Sequence, residues 1–173
     1  MILALDFDGV LHPVRTTTEA KFCRLGLLES WLRERPRVDV VISSSWRETH
    51  PFGLMQSFFA EDLQARVVGV TPSVHCLDEP SWSRSDAERA VAIGERQYEI
   101  EQWIADSSAS TRRWAALDDD LSLFRPDCTH LVLCDPNVGL TEANLEQLDA
   151  MLCDERLDGD GEVSRASMPG GNR

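Results

Sequence analysis

Leu3-Ala4-Leu5-Asp6-Phe7-Asp8-Gly9-Val10-Leu11 is the stretch that decides the fold. The apolar run from Met1 to Leu5 leads into two carboxylates one residue apart and then a glycine. A short apolar run closed by a turn signal reads as a buried strand. Asp6 and Asp8 then stand at the carboxyl end of a central strand, where open α/β sheets bind ligands. Residues two apart on a strand point the same way. If the strand persists that far, both carboxylates face one pocket, and two such charges call for a cation. A hard divalent ion with oxygen ligands, Mg²⁺ foremost, meets that need. Gly9 lets the chain turn away.

Working outward, four further apolar runs read as strands: Val38–Ile42, Val67–Val70, Trp114–Leu117 and Leu131–Cys134. Helical spacing appears between them. Leu25, Leu28, Trp31 and Leu32 share one face over residues 24–35, and Pro36 ends that helix. A short helix is expected over 51–63, with Phe52, Met55, Phe58 and Phe59 inward. Another runs over Glu95–Asp106, with Ile100, Trp103 and Ile104 as its buried stripe. Thr141 caps a last helix, with Leu145, Leu148, Met151 and Leu152 inward. Strands alternating with helices give a parallel sheet with right-handed crossovers.

Three of the strands end in polar clusters: Asp6 and Asp8, then Ser43-Ser44-Ser45-Trp46-Arg47, then Asp118-Asp119-Asp120. Hydroxyls and free N–H groups at a strand end hold phosphate oxygens without adding charge. Consecutive carboxylates repel one another unless a cation or donors stand near. Asp120 suits the cap of the next turn. His12 follows the Asp pair closely enough to reach the pocket, and Arg47 is either a phosphate contact or an ion-pair partner.

These clusters resemble the motifs of the haloacid dehalogenase (HAD) superfamily, over roughly residues 1–153. Asp6-Phe7-Asp8-Gly9-Val10 is similar to its first motif, Asp-x-Asp-Gly-x-(Val/Leu/Thr). The resemblance implies Asp6 as nucleophile on phosphorus and Asp8 as acid, then base. The serine run resembles the second motif, a phosphate-binding Ser or Thr. Register leaves Ser43 and Ser44 open, with Ser44 favoured. Arg96-Gln97-Tyr98-Glu99-Ile100-Glu101-Gln102-Trp103-Ile104 resembles the Arg-x-x-Glu-Ile-x-x-Trp-Leu phrase of small HAD-like hydrolases. It implies Arg96 as the third-motif cation, with Arg84 and Arg89 as rivals. Asp118-Asp119 resembles the fourth motif and implies Asp119 as a Mg²⁺ ligand beside Asp6 and the Asp8 carbonyl, with Asp118 supporting or alternative.

The expected fold is therefore a Rossmann-like three-layer sandwich around a five-stranded parallel sheet. No insertion is long enough for a large cap, so residues 1–154 form one catalytic domain and 155–173, polar and Gly-rich, a disordered tail. Residues 72–86 are the expected substrate-facing loop, with His75 and Trp82 as candidate contacts.

The chain is 42% apolar and 27% charged, an ordinary globular balance. Its formal charge of −13 disfavours a nucleic-acid backbone as partner. The five cysteines lack a CxxC pair, which fits reduced thiols and not a zinc site. No apolar run reaches the length of a membrane span, and the N-terminus has no basic leader region. The expectation is a cytoplasmic, Mg²⁺-dependent phosphomonoesterase acting on a small phosphorylated substrate. A nucleic-acid end-processing phosphatase and a non-catalytic HAD-like binding domain are the alternatives.

Overall fold

The computed structural model describes residues 1–74, 94–107 and 112–153. The expectations for His75, Trp82, Arg84, Arg89, the Leu152 side chain and the 155–173 tail lie outside the described residues. The strands are β1 (Ile2–Leu5), β2 (Asp39–Ile42), β3 (Val67–Val70), β4 (Trp114–Asp118) and β5 (Leu131–Leu133). They form one parallel sheet in the order β3-β2-β1-β4-β5. The helices are α1 (Leu25–Arg33), α2 (Phe52–Gln56), α3 (Glu61–Gln64), α4 (Glu95–Asp106) and α5 (Glu142–Cys153).

The single helix expected over 51–63 is two short ones, α2 and α3. The break follows from side chains competing for backbone groups: the Ser57 hydroxyl donates to Leu54 O, and the Glu29 carboxylate accepts from Ala60 N at 2.6 Å. Elsewhere the strand and helix limits differ from expectation by no more than a residue or two.

Alternation along β1 sorts the core. Leu3, Leu5, Val40, Ile42 and Leu117 face one side, packed against Leu28, Leu32, Leu63 and Leu148 from α1, α3 and α5. Ile2, Ala4, Val41 and Ala116 face the other, packed against Ile100 and Ile104 of α4. Sheet and flanking helices thus make an α/β Rossmann-like sandwich, and no large cap domain is present among the described residues.

The register places the polar ends. Leu5 pairs with Ile42 and with Leu117, and Ile42 with Val70. One residue further, Thr71, Ser43, Asp6 and Asp118 stand side by side on four strands. Ladder hydrogen bonds carry that far: Asp6 N to Leu117 O at 3.0 Å, Ser43 N to Leu5 O and Thr71 N to Ile42 O both at 2.9 Å. All four are an even step from Ala4, Val41, Ala116 or Gly69, so they share the face that α4 covers. From β1 the chain moves outward to β2 and β3, then returns to β4 on the other flank. The row therefore sits at a topological switch point, the crevice that α/β sheets use for ligands.

Candidate active site

Arg96 enters the row from the first turn of α4. Its Nη1 lies 3.6 Å from Asp6 Oδ1 and 3.5 Å from Asp118 Oδ2, all three side chains being nearly buried. Arg96 Nη1 and Asp118 Oδ2 nevertheless have no hydrogen-bond partner. A buried donor and a buried acceptor left unpaired at one spot are costly, and such atoms mark a place made for something else.

Asp6, Asp118 and Asp119 each offer a carboxylate oxygen, and these oxygens lie within 4.8 Å of one another. Burial pushes the Asp118 carboxyl up to about 7; Arg96 opposes the shift and the Asp6 charge adds to it. Burial and the same Asp6 charge raise Asp119 as well. Three oxygen ligands with one unpaired, and carboxyls reluctant to ionise together, fit a hard divalent cation. Asp119 is seated by a glycine: a Cβ on Gly9, whose φ is +70°, would fall 2.1 Å from Asp119 Oδ2. Asp120 caps the next turn, accepting from Ser122 N at 2.9 Å.

Asp8 stands apart from that trio. β1 ends at Leu5, so Asp8 lies on the following turn and its side chain is 45% exposed. Trp46 Nε1 donates to its Oδ2 at 2.7 Å, and His12 Nε2 lies 3.0 Å from its Oδ1. His12 thus reaches the site by holding Asp8.

The two candidate serines differ. Ser44 Oγ faces inward as the cap of a short turn, accepting from Trp46 N at 3.5 Å. Ser43 Oγ is buried in the row with no hydrogen-bond partner. Register ambiguity in a serine run hides this difference, and strand parity resolves it: Ser43 shares a face with Asp6. Thr71 Oγ1 is likewise buried and unpaired in the row. Nothing in the sequence singles it out, because it reads as the strand's closing residue.

Arg47, weighed above as a phosphate contact, turns inward. Its Nη2 lies 2.5 Å from Glu99 Oε2, and its Nη1 donates to Ser43 O. The second Glu99 oxygen accepts from Val74 N at 3.0 Å, and Arg96 Nε lies 3.8 Å from the first. Burial raises the Glu99 carboxyl, against the pull of Arg47. Glu99 thus fastens both arginines and the segment that follows β3. It stands in the quoted motif phrase, but the sequence carries no sign of its partner 52 residues away.

No helix among the described residues is long and apolar enough to cross a membrane. No curated protein and no solved structure matches the chain. The family model described as the HAD domain in Swiss Army Knife RNA repair proteins matches residues 2–145, from β1 into α5. The match corrects the expectation that disfavours nucleic acid as a partner, because the family is drawn from RNA repair proteins. The charge argument failed for a physical reason. A net charge of −13 sums the whole surface and says nothing of how charge is distributed locally. With Asp6, Asp118, Asp119 and Arg96 gathered at the switch point and the model spanning the sheet, this chain belongs to the HAD domain family of Swiss Army Knife RNA repair proteins.

Proposed function

We propose that the protein is a Mg²⁺-dependent phosphohydrolase that removes a terminal phosphate from RNA by way of an aspartyl-phosphate on Asp6. The observation that carries this reading is the meeting of Asp6, Asp118 and Asp119 beside the unpaired Nη1 of Arg96. Membership of a family of RNA repair proteins supports the substrate class.

Asp6, Asp118 and Asp119, with the Asp8 carbonyl, are the groups that would hold Mg²⁺. When bound, the ion screens the repulsion between an anionic nucleophile and an anionic phosphate. Asp6 attacks phosphorus, a new O–P bond forms, and the bond to the leaving oxygen breaks. Asp8 gives its proton to that oxygen. It then takes a proton from the water that opens the Asp6 acyl phosphate, releasing inorganic phosphate and restoring the Asp6 carboxylate and the protonated Asp8. Arg96 Nη1 and Ser43 Oγ, neither of them hydrogen-bonded within the protein, bind the phosphoryl oxygens. Arg47 and Glu99 hold Arg96 and the serine backbone in place.

The test is phosphate release from oligoribonucleotides bearing a 5′- or a 3′-terminal phosphate, set beside small phosphomonoesters. The expected outcome is Mg²⁺-dependent release from an RNA end, silenced by EDTA and restored by Mg²⁺. Release confined to small esters would refute the RNA assignment; activity indifferent to EDTA would refute the metal-dependent scheme.

A further inference from the structure

The Asp8 carboxylate is gripped through both oxygens by side chains that the reaction scheme leaves unused. Trp46 Nε1 donates to Oδ2 at 2.7 Å from a residue 38 positions away. His12 Nε2 meets Oδ1 at 3.0 Å and is 1% exposed. The grip is built into an aromatic cage. Trp46 packs edge-on to Phe7, Phe22 and Phe58 at centroid distances of 5.8, 5.5 and 6.0 Å. His12 packs on Phe22 at 5.4 Å. Phe22 itself has a φ of 60°, the left-handed region that a bulky residue occupies only under constraint. The segment that follows Asp8 is therefore fixed against the segment after β2, and the two partners of Asp8 are fixed with it.

We infer that Trp46 and His12 are positioning residues that aim the Asp8 carboxyl at the leaving group; the inference rests on the acid–base role proposed for Asp8. An indole N–H only donates, so it keeps Oδ2 an acceptor whether Asp8 is ionised or not. The indole thus fixes the direction of the carboxyl in both of its protonation states, and the proton passes from the carboxyl so aimed to the leaving oxygen as the P–O bond breaks. His12 Nε2 fixes the direction of Oδ1. His12 Nδ1 is buried without a hydrogen-bond partner, so no proton path leaves the imidazole on its far side. Its task is orientation, not relay.

A misaimed acid harms substrates according to how badly their leaving group needs a proton. The experiment is kcat/KM on a series of aryl phosphates of graded leaving-group acidity, with Mg²⁺, for the wild type, Trp46→Phe, His12→Leu and His12→Gln. Phenylalanine keeps the cage and loses the donor; glutamine keeps an N–H for Oδ1 and leucine does not. The expected result for Trp46→Phe and His12→Leu is a steeper fall of kcat/KM with leaving-group pKa. The least acidic phenols should lose at least about tenfold more than 4-nitrophenol, with His12→Gln close to wild type. An unchanged slope in an active wild-type background overturns the inference alone. No turnover of any phosphomonoester by the wild type, RNA ends included, overturns the acid–base role and the inference with it. If Trp46→Phe does not fold, the His12→Leu and His12→Gln pair decides by the same slope.

Discussion

Arg47 and Glu99 form an ion pair at 2.5 Å with side chains only 5% and 3% exposed. Desolvating two charges is expensive, so the pair adds little by itself, but breaking it strands a buried charge. Glu99→Ala would strand two arginines, since Arg96 Nε also leans on that carboxylate at 3.8 Å. Urea denaturation of Glu99→Ala should show a loss of about 3–5 kcal/mol. A loss below about 1 kcal/mol would place the pair among those that contribute nothing measurable. Replacing both residues by apolar ones, Arg47→Met with Glu99→Leu, should recover part of the loss.

Asp6→Asn replaces the carboxylate proposed to attack phosphorus with an amide of the same shape. Turnover should fall by at least about 10³-fold, while the far-ultraviolet circular dichroism stays unchanged. Acid-stable radiolabel from a phosphorylated substrate should remain on the wild type after quenching and be missing from the variant. A variant with wild-type turnover would end the aspartyl-phosphate scheme.

Metal-free stability should fall as pH rises. The folded Asp118 carboxyl titrates at about 7, above its ordinary value of 3.8, because it is buried. Folding therefore favours its protonated form. That contribution is complete below about pH 4 and is lost as pH rises through about 7, on the order of a few kcal/mol. Asp119 and Glu99 are shifted in the same direction. Thermal unfolding in EDTA should show a lower midpoint at pH 8 than at pH 5.5. Mg²⁺ should reverse the trend, because binding draws on the ionised carboxylates. A midpoint in EDTA that climbs across that range would contradict the assigned burial of Asp118.

Gly9→Ala tests the seat of Asp119. The new methyl would stand 2.1 Å from Asp119 Oδ2, on a backbone at φ +70°. The strained backbone alone should cost about 1 kcal/mol or more. The displaced carboxylate should also blunt the thermal shift that Mg²⁺ produces. A variant with an undiminished Mg²⁺ shift would show that Asp119 does not need this place.

Much of the fold is legible locally because its signals are local. Apolar runs bounded by turns mark β1 through β5, and the spacing of Leu25, Leu28, Trp31 and Leu32 marks α1. The split into α2 and α3 is not, because it depends on the Ser57 hydroxyl and on Glu29, a residue from another helix. The acidic and hydroxyl strand ends are visible as clusters, and parallel pairing makes their convergence a consequence of topology.

The sequence by itself determined that Asp6, Ser43 or Ser44, and Asp118 and Asp119 stand at strand ends, since hydrophobic period and chain punctuation are properties of contiguous residues. Only the tertiary structure decided which serine is free, that Arg47 turns inward to Glu99, and that Trp46 and His12 hold Asp8. Those outcomes depend on the side to which a strand's last residue points and on where helices and loops bring distant donors. Hydrogen bonds and ion pairs form at about 3 Å in space, a scale on which distance along the chain has no meaning.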